Sequence, residues 1–210
     1  MKGLHLDNLI CRFPALGACR PQVEGAFQAI RDALRRGGKL LLCGNGGSAS
    51  DADHWAGELL KGFHSSRPLS EMEQRKLPEE LATRLQGAVP AIPLTGFTAL
   101  STAFANDVAP ELVFAQLVWG LGCSGDLFVG ISTSGNARNV CLAAQAARAR
   151  GLVTLALTGE GGGKLAPLCD LAIRVPARET NLVQEFHLPI YHCLSLMVEE
   201  DFFGEEQGTR

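Results

Sequence analysis

Leu40-Leu-Leu-Cys-Gly-Asn-Gly-Gly-Ser-Ala-Ser50 runs straight into Asp51-Ala-Asp-His-Trp-Ala-Gly-Glu58. An apolar run stops at three glycines within four positions, a serine follows, and helix-compatible sequence resumes at Asp51. That is the pattern of a buried strand, a glycine-rich turn and a helix whose amides and dipole face an anion. On the helix, His54 and Glu58 stand four residues apart and so share a face. One short segment thus joins an anion cradle to an acid/base or metal-ligating pair.

Working outward, Val23, Phe27, Ile30 and Leu34 recur at helical spacing within residues 21–36, and Gly37-Gly38 ends the pattern. Strands are expected at 39–43, 91–95, 126–132, 153–158 and 171–175. Helices are expected at 51–63, 99–106, 113–121, 138–150 and 180–203. Between them, residues 64–90 form an insert-like segment, charged and broken by prolines, with a short amphipathic helix after Pro78. Short apolar strands alternating with helices imply βαβ units. The reading is a single α/β domain over residues 1–210, a parallel sheet sandwiched by helices on both faces, with a helical N-terminal arm over about residues 1–36.

The chain of 210 residues is long enough for a substantial core, and its net charge of −3 supplies no global basic field for nucleic acid. No apolar run reaches the ~20 residues of a membrane helix. Seven scattered cysteines, odd in number and without a C-x-x-C pair, read as free thiols of a cytoplasmic protein.

A second loop repeats the logic of the first. Gly130-Ile-Ser-Thr-Ser-Gly-Asn136 carries a strand into Ser132, Thr133 and Ser134 ahead of another helix. Hydroxyls and free amides there suit the acceptor oxygens of a phosphate. A third stretch, Thr158-Gly-Glu-Gly-Gly-Gly-Lys164, lacks P-loop spacing because Leu165 follows the lysine, and is read as a flexible turn.

Gly44-Asn-Gly-Gly-Ser48, Ile131-Ser-Thr-Ser-Gly-Asn136, Leu157-Thr-Gly159 with Gly162-Gly-Lys164, and Ile173-Arg-Val-Pro176 occur in that order. Together they resemble the sugar isomerase (SIS) domain, and within it the phosphoheptose isomerases, over about residues 20–203. The resemblance implies conversion of sedoheptulose 7-phosphate to a glycero-manno-heptose 7-phosphate by a homotetramer with active sites shared between subunits. It assigns Ser48, Ser132, Thr133 and Ser134 to the phosphate, with Gly46, Gly47 and Asn136 in the same loops. Asn45 and Asp107 correspond to sugar contacts, Glu58 to the catalytic base and His192 to its acid partner. Gln184 corresponds to a substrate contact, and His54, Glu58, Gln184 and His192 to a zinc site. Departures from the pattern are Ala137 in place of a phosphate-binding serine, Lys61-Gly62 in place of Gly-Arg, and Pro189, which is expected to interrupt the last helix.

Moving a carbonyl between two carbons needs a base for a carbon-bound proton and an acid for the oxygen, roles that Glu58 and His192 can fill. A metal held by His54 and Glu58 would compete for the same carboxylate oxygens. Gln184 and His192 lie ~12 Å apart along an unbroken helix, so one ion collects both only through stretched side chains or a helix distorted at Pro189, and otherwise the two serve sites in different subunits. A second reading, of a different class, is a non-catalytic SIS module binding a sugar phosphate or a replication-initiator-type protein partner. A third changes the isomerase substrate to another sugar phosphate. Retention of both Glu58 and His192 favours the enzyme.

Overall fold

In the computed structural model, residues 2–204 are described. The chain order is α1 (Lys2–Arg12), α2 (Arg20–Arg35), β1 (Leu40–Cys43), α3 (Gly47–Leu60), α4 (Glu71–Gln74), α5 (Glu79–Ala82) and β2 (Ala91–Pro93). There follow α6 (Thr98–Asp107), α7 (Val113–Leu121), β3 (Leu127–Ser132), α8 (Arg138–Ala149), β4 (Val153–Thr158), β5 (Leu171–Arg174) and α9 (Thr180–Phe203). The five strands form one parallel sheet in the order β2-β1-β3-β4-β5. The chain leaves β1 toward one edge and later returns to build toward the other. The crevice between the carboxyl ends of β1 and β3 is therefore the switch point, where ligands of open α/β sheets bind. Both glycine and serine loops open into it.

Alternation along the strands divides two cores. Leu40, Leu42, Val129, Ile131, Leu155 and Leu157 face α1, α2, α3 and α9, while Leu41, Cys43, Phe128 and Ala156 face α7 and α8. Strands covered on both faces read as nearly continuous apolar runs. The N-terminal helices belong to the first core through Leu6, Leu9, Val23, Phe27 and Ile30.

Four expectations need correction. Helix α3 begins at Gly47, not Asp51, because Gly46 takes a left-handed φ of 54° and turns the chain directly into helix. Helix α9 is continuous through Pro189. The proline costs one backbone bond, while packing of both halves against α3, α1 and α2 carries the helix across it. The helix after Pro78 shrinks to four residues, and α4 and α5 bury no side chain. The stretch from Thr158 to Lys164 is a packed buttress instead of a flexible turn, as the site geometry below shows. No described helix is long and apolar enough to cross a membrane.

Candidate active site

The first loop and α3 form one wall of a cleft. The amides of Ser48 and Ala49 bond the carbonyls of Asn45 and Gly46, both at 3.0 Å, closing the first helical turn against the loop. Gly44 has no room for a side chain because Ser48 lies against it, and Ser48 itself is buried. Across the switch point, Ser132, Thr133, Ser134 and Asn136 form the other wall of a cavity of about 270 Å³. Asn45 and Asn139 clamp the two walls through reciprocal amide bonds, each 2.9 Å. The lining holds hydroxyls, amides and backbone but no lysine or arginine. Such a surface recognises an anion by directed hydrogen bonds.

The third loop supports the second from below. The Gly159 amide bonds Thr133 O at 2.9 Å, Leu165 N bonds Gly135 O at 2.8 Å, and Lys164 N bonds the Asn136 side chain at 3.2 Å. Gly135, at φ 66°, has the Gly162 carbonyl where a Cβ would stand. The glycines of this stretch serve close approach of one loop to another.

The second half of the site lies further along α3. His54 Nε2 is 3.1 Å from Glu58 Oε1, and His54 Nδ1 is 3.0 Å from the Tyr191 hydroxyl. Nε2 of the His54 ring thus faces the Glu58 carboxylate and Nδ1 the Tyr191 oxygen, with the donor and acceptor roles set by the ring tautomer. Tyr191 stacks on buried Trp55 and also reaches Asp51 at 3.3 Å. Burial and then Asp51 push its hydroxyl pKa up, keeping it a donor. His192 packs edge-on to His54, with ring centroids 5.2 Å apart, and against Phe63, also at 5.2 Å. Burial, then His54, holds the His192 pKa below the usual imidazole value, with Glu58 opposing and Arg12 adding to the depression. His192 Nε2 and Glu58 Oε2 are buried without a hydrogen-bond partner. Lys61 Nζ stands 3.8 Å from that same Glu58 oxygen.

Helices α3 and α9 run side by side, and their pairing sorts the predicted residues. Gln184 presses its amide against Gly47, which has no space for a Cβ. Tyr191 and His192 meet His54, and Glu199 meets the chain just after α3. The structure thus unites His54, Glu58 and His192 in one chain, and joins Gln184 to the first loop about two helical turns away. Asp107 lies at the exposed end of α6, bonded by the Asn106 amide at 2.9 Å, and does not line the cavity between the loops.

Two imidazoles and a carboxylate, with Glu58 Oε2 and His192 Nε2 unpartnered, are donors of the kind zinc takes. The described residues contain no group of three or more His, Cys, Asp or Glu set to hold a metal, the His54 ring being turned to Glu58 Oε1. Tyr191, Asn139, Arg67 and Glu199 were not singled out by sequence. A tyrosine beside His192 and a buried acid in an apolar helix were the available signals.

Residues 18–159 match the SIS domain. The phosphoheptose isomerase of Rhodospirillum rubrum is 40% identical over 188 residues, 90% of each chain, and that of Akkermansia muciniphila is 38% identical over 91% of this chain and 92% of its own. The chain belongs to the phosphoheptose isomerases. Among solved structures, the phosphoheptose isomerase of Francisella tularensis superposes with a TM-score of 0.77 at 32% identity, covering 94% of this chain and 96% of that one. Membership in the family accounts for the paired loops at the switch point, which Gly46, Ser48 and Ser132 to Ser134 build here.

Proposed function

We propose that this chain is an aldose–ketose isomerase converting sedoheptulose 7-phosphate to D-glycero-D-manno-heptose 7-phosphate. The observation that carries it is the pairing of a hydroxyl-lined anion cleft at the switch point with the His54–Glu58–His192 cluster on the same helix, in a chain related to phosphoheptose isomerases.

The phosphate takes the hydroxyls of Ser48, Ser132, Thr133 and Ser134 and the amides of the α3 turn. Asn45, Asn136, Asp107 and Gln184 contact the sugar. Glu58 removes a proton from C1 of the ketose and returns it at C2, while His192 gives a proton to O2 and receives one from O1. A His192 pKa held low keeps the ring neutral near pH 7, able to donate without first being charged. Of the four expected zinc ligands, His54, Glu58 and His192 lie together and would hold the ion once the His54 ring turns from Glu58 Oε1, while Gln184 stands apart at Gly47; zinc would supply polarisation of the sugar oxygens when bound.

The working form is a cytoplasmic homotetramer with shared active sites. Seven free cysteines support the compartment. Ser48 and Glu58 are ~15 Å apart along α3 between their backbones, a span that the Glu58 side chain, the phosphate contact and an extended seven-carbon phosphate cover together. Helix α6 supports an assembly: half of its ten residues are apolar and none is fully buried within the chain, although Phe104 and Ala105 pack on the second core.

The test is turnover of sedoheptulose 7-phosphate by metal-stripped and zinc-supplemented protein. Turnover lost in Glu58→Gln and His192→Gln is expected. Absence of turnover in both wild-type preparations would overturn the reading.

A further inference from the structure

The residues just beyond α3 form a buried ionic knot that the catalytic scheme does not use. The Glu199 carboxylate, on α9, accepts the amides of Phe63 at 2.9 Å, His64 at 2.8 Å and Ser65 at 3.1 Å. It also accepts Arg67 Nε at 2.6 Å. The other arms of Arg67 reach back to α3, where Nη1 bonds Leu59 O at 2.8 Å and Nη2 bonds Glu58 O at 3.2 Å. The Arg67 guanidinium lies over Phe203, 4.9 Å from the ring centroid, and the Arg67 side chain is wholly buried. Arg67 is also the one non-glycine among the described residues with a positive φ, 44°, directly before Pro68. A left-handed backbone before proline is unfavourable and persists only where the surroundings over-determine it.

What the knot touches gives it a consequence for the site. A helix ends with carbonyls that lack partners. Here a cation caps the two in the turn that carries the Glu58 side chain, a favourable charge at that end of the dipole. The same carboxylate pins the amide of Phe63, whose ring packs on His192. One buried pair therefore fixes both the backbone of the proposed base and the neighbour of its acid partner.

We propose that Arg67 and Glu199 are positioning residues for the isomerase reaction, setting Glu58 and His192 relative to each other without touching substrate. The proposal rests on the isomerase reading. Its readout is a split between kcat and KM, because the phosphate loops sit at the far end of α3 and do not contact the knot. In Arg67→Met and Glu199→Gln, kcat should fall about 10- to 100-fold with KM within about twofold, the cost expected of a misplaced catalytic group. Arg67→Lys, which keeps the charge beside Glu199 but loses the fork to two carbonyls, should fall between these and wild type.

Ile30→Ala, in the core of α2, separates positioning from stability. It should lower the thermal midpoint and leave kcat per folded protein unchanged. Clamp variants that keep wild-type kcat, or lose it only in proportion to unfolded protein as Ile30→Ala does, would overturn the proposal. A wild-type protein without turnover would instead overturn the isomerase reading, and the positioning role with it.

Discussion

In the proposed reaction Glu58 is the base and Ser132 a phosphate contact, so their substitution should separate chemistry from binding. Glu58→Gln keeps the shape and the contact to His54 but removes the base, so kcat should fall by about 10²–10⁴. Ser132→Ala removes one phosphate donor and should raise KM by about tenfold with little change in kcat, since a lost hydrogen bond to a charged group is worth about 1.5–3 kcal/mol. Steady-state kinetics on sedoheptulose 7-phosphate distinguishes the two patterns. His187 gives a residue-scale prediction for stability. It is fully buried, and burial holds its pKa at about 4, with the Thr158 backbone opposing. Between pH 4 and its ordinary value near 6.5 the unfolded chain binds a proton that the folded ring does not. Stability therefore rises with pH over that interval, and is lost as pH falls from about 6.5 to about 4, by up to about 3 kcal/mol. His192, also depressed, adds the same sign, and Asp51, raised by burial, opposes it at the acid end. Urea unfolding of His187→Leu at several pH values should show a flatter acid limb than wild type. Equal slopes would remove His187 from the account.

At the scale of elements, the two phosphate loops depend on a third that makes no claim on substrate. Gly135→Ala places a side chain at φ 66° against the Gly162 carbonyl. The backbone conformation alone should cost about 1–3 kcal/mol, and the displaced second loop should raise KM as well. Denaturant midpoints and KM measured together check this, and an unchanged KM would mean that the buttress does not shape the cleft. The same loops mark what could be read before the structure was known. Strand β4 and helices α7 and α9 coincide with their apolar patterns, because burial and periodicity specify such elements locally. The start of α3 did not, since glycines that permit a left-handed turn look the same as glycines that end a strand. The loop from Thr158 to Lys164 read as loose because its glycines serve contacts with residues far earlier in the chain, such as Gly159 N to Thr133 O. Of the site, His54 and Glu58 were legible through their four-residue spacing. Tyr191, Arg67 and Glu199 were not, because their roles come from the pairing of α3 with α9, a tertiary relation that no local window contains.

At the scale of the molecule, the fold leaves one helix lightly packed on its core. Helix α6 follows the edge strand β2 and fully buries none of its ten residues, half of them apolar, with Phe104 and Ala105 only partly covered by the second core. Leu100 is 36% exposed and Val108, at its end, 62% exposed. Apolar surface of this kind contributes about 25 cal/mol per Å² when covered, so in the proposed assembly α6 is the face that a neighbouring subunit would cover. Asp107, a proposed sugar contact, sits on the same helix and away from the anion cleft of its own subunit. Covering α6 and completing the site would then be one event. Leu100→Glu combined with Val108→Glu should lower the oligomeric state in sedimentation and abolish most turnover, while circular dichroism retains the α/β signature. Wild-type specific activity should fall on dilution at the concentration where the assembly dissociates. A dissociated variant that keeps full activity per chain would show that one subunit holds a complete site, and the shared-site reading would fall.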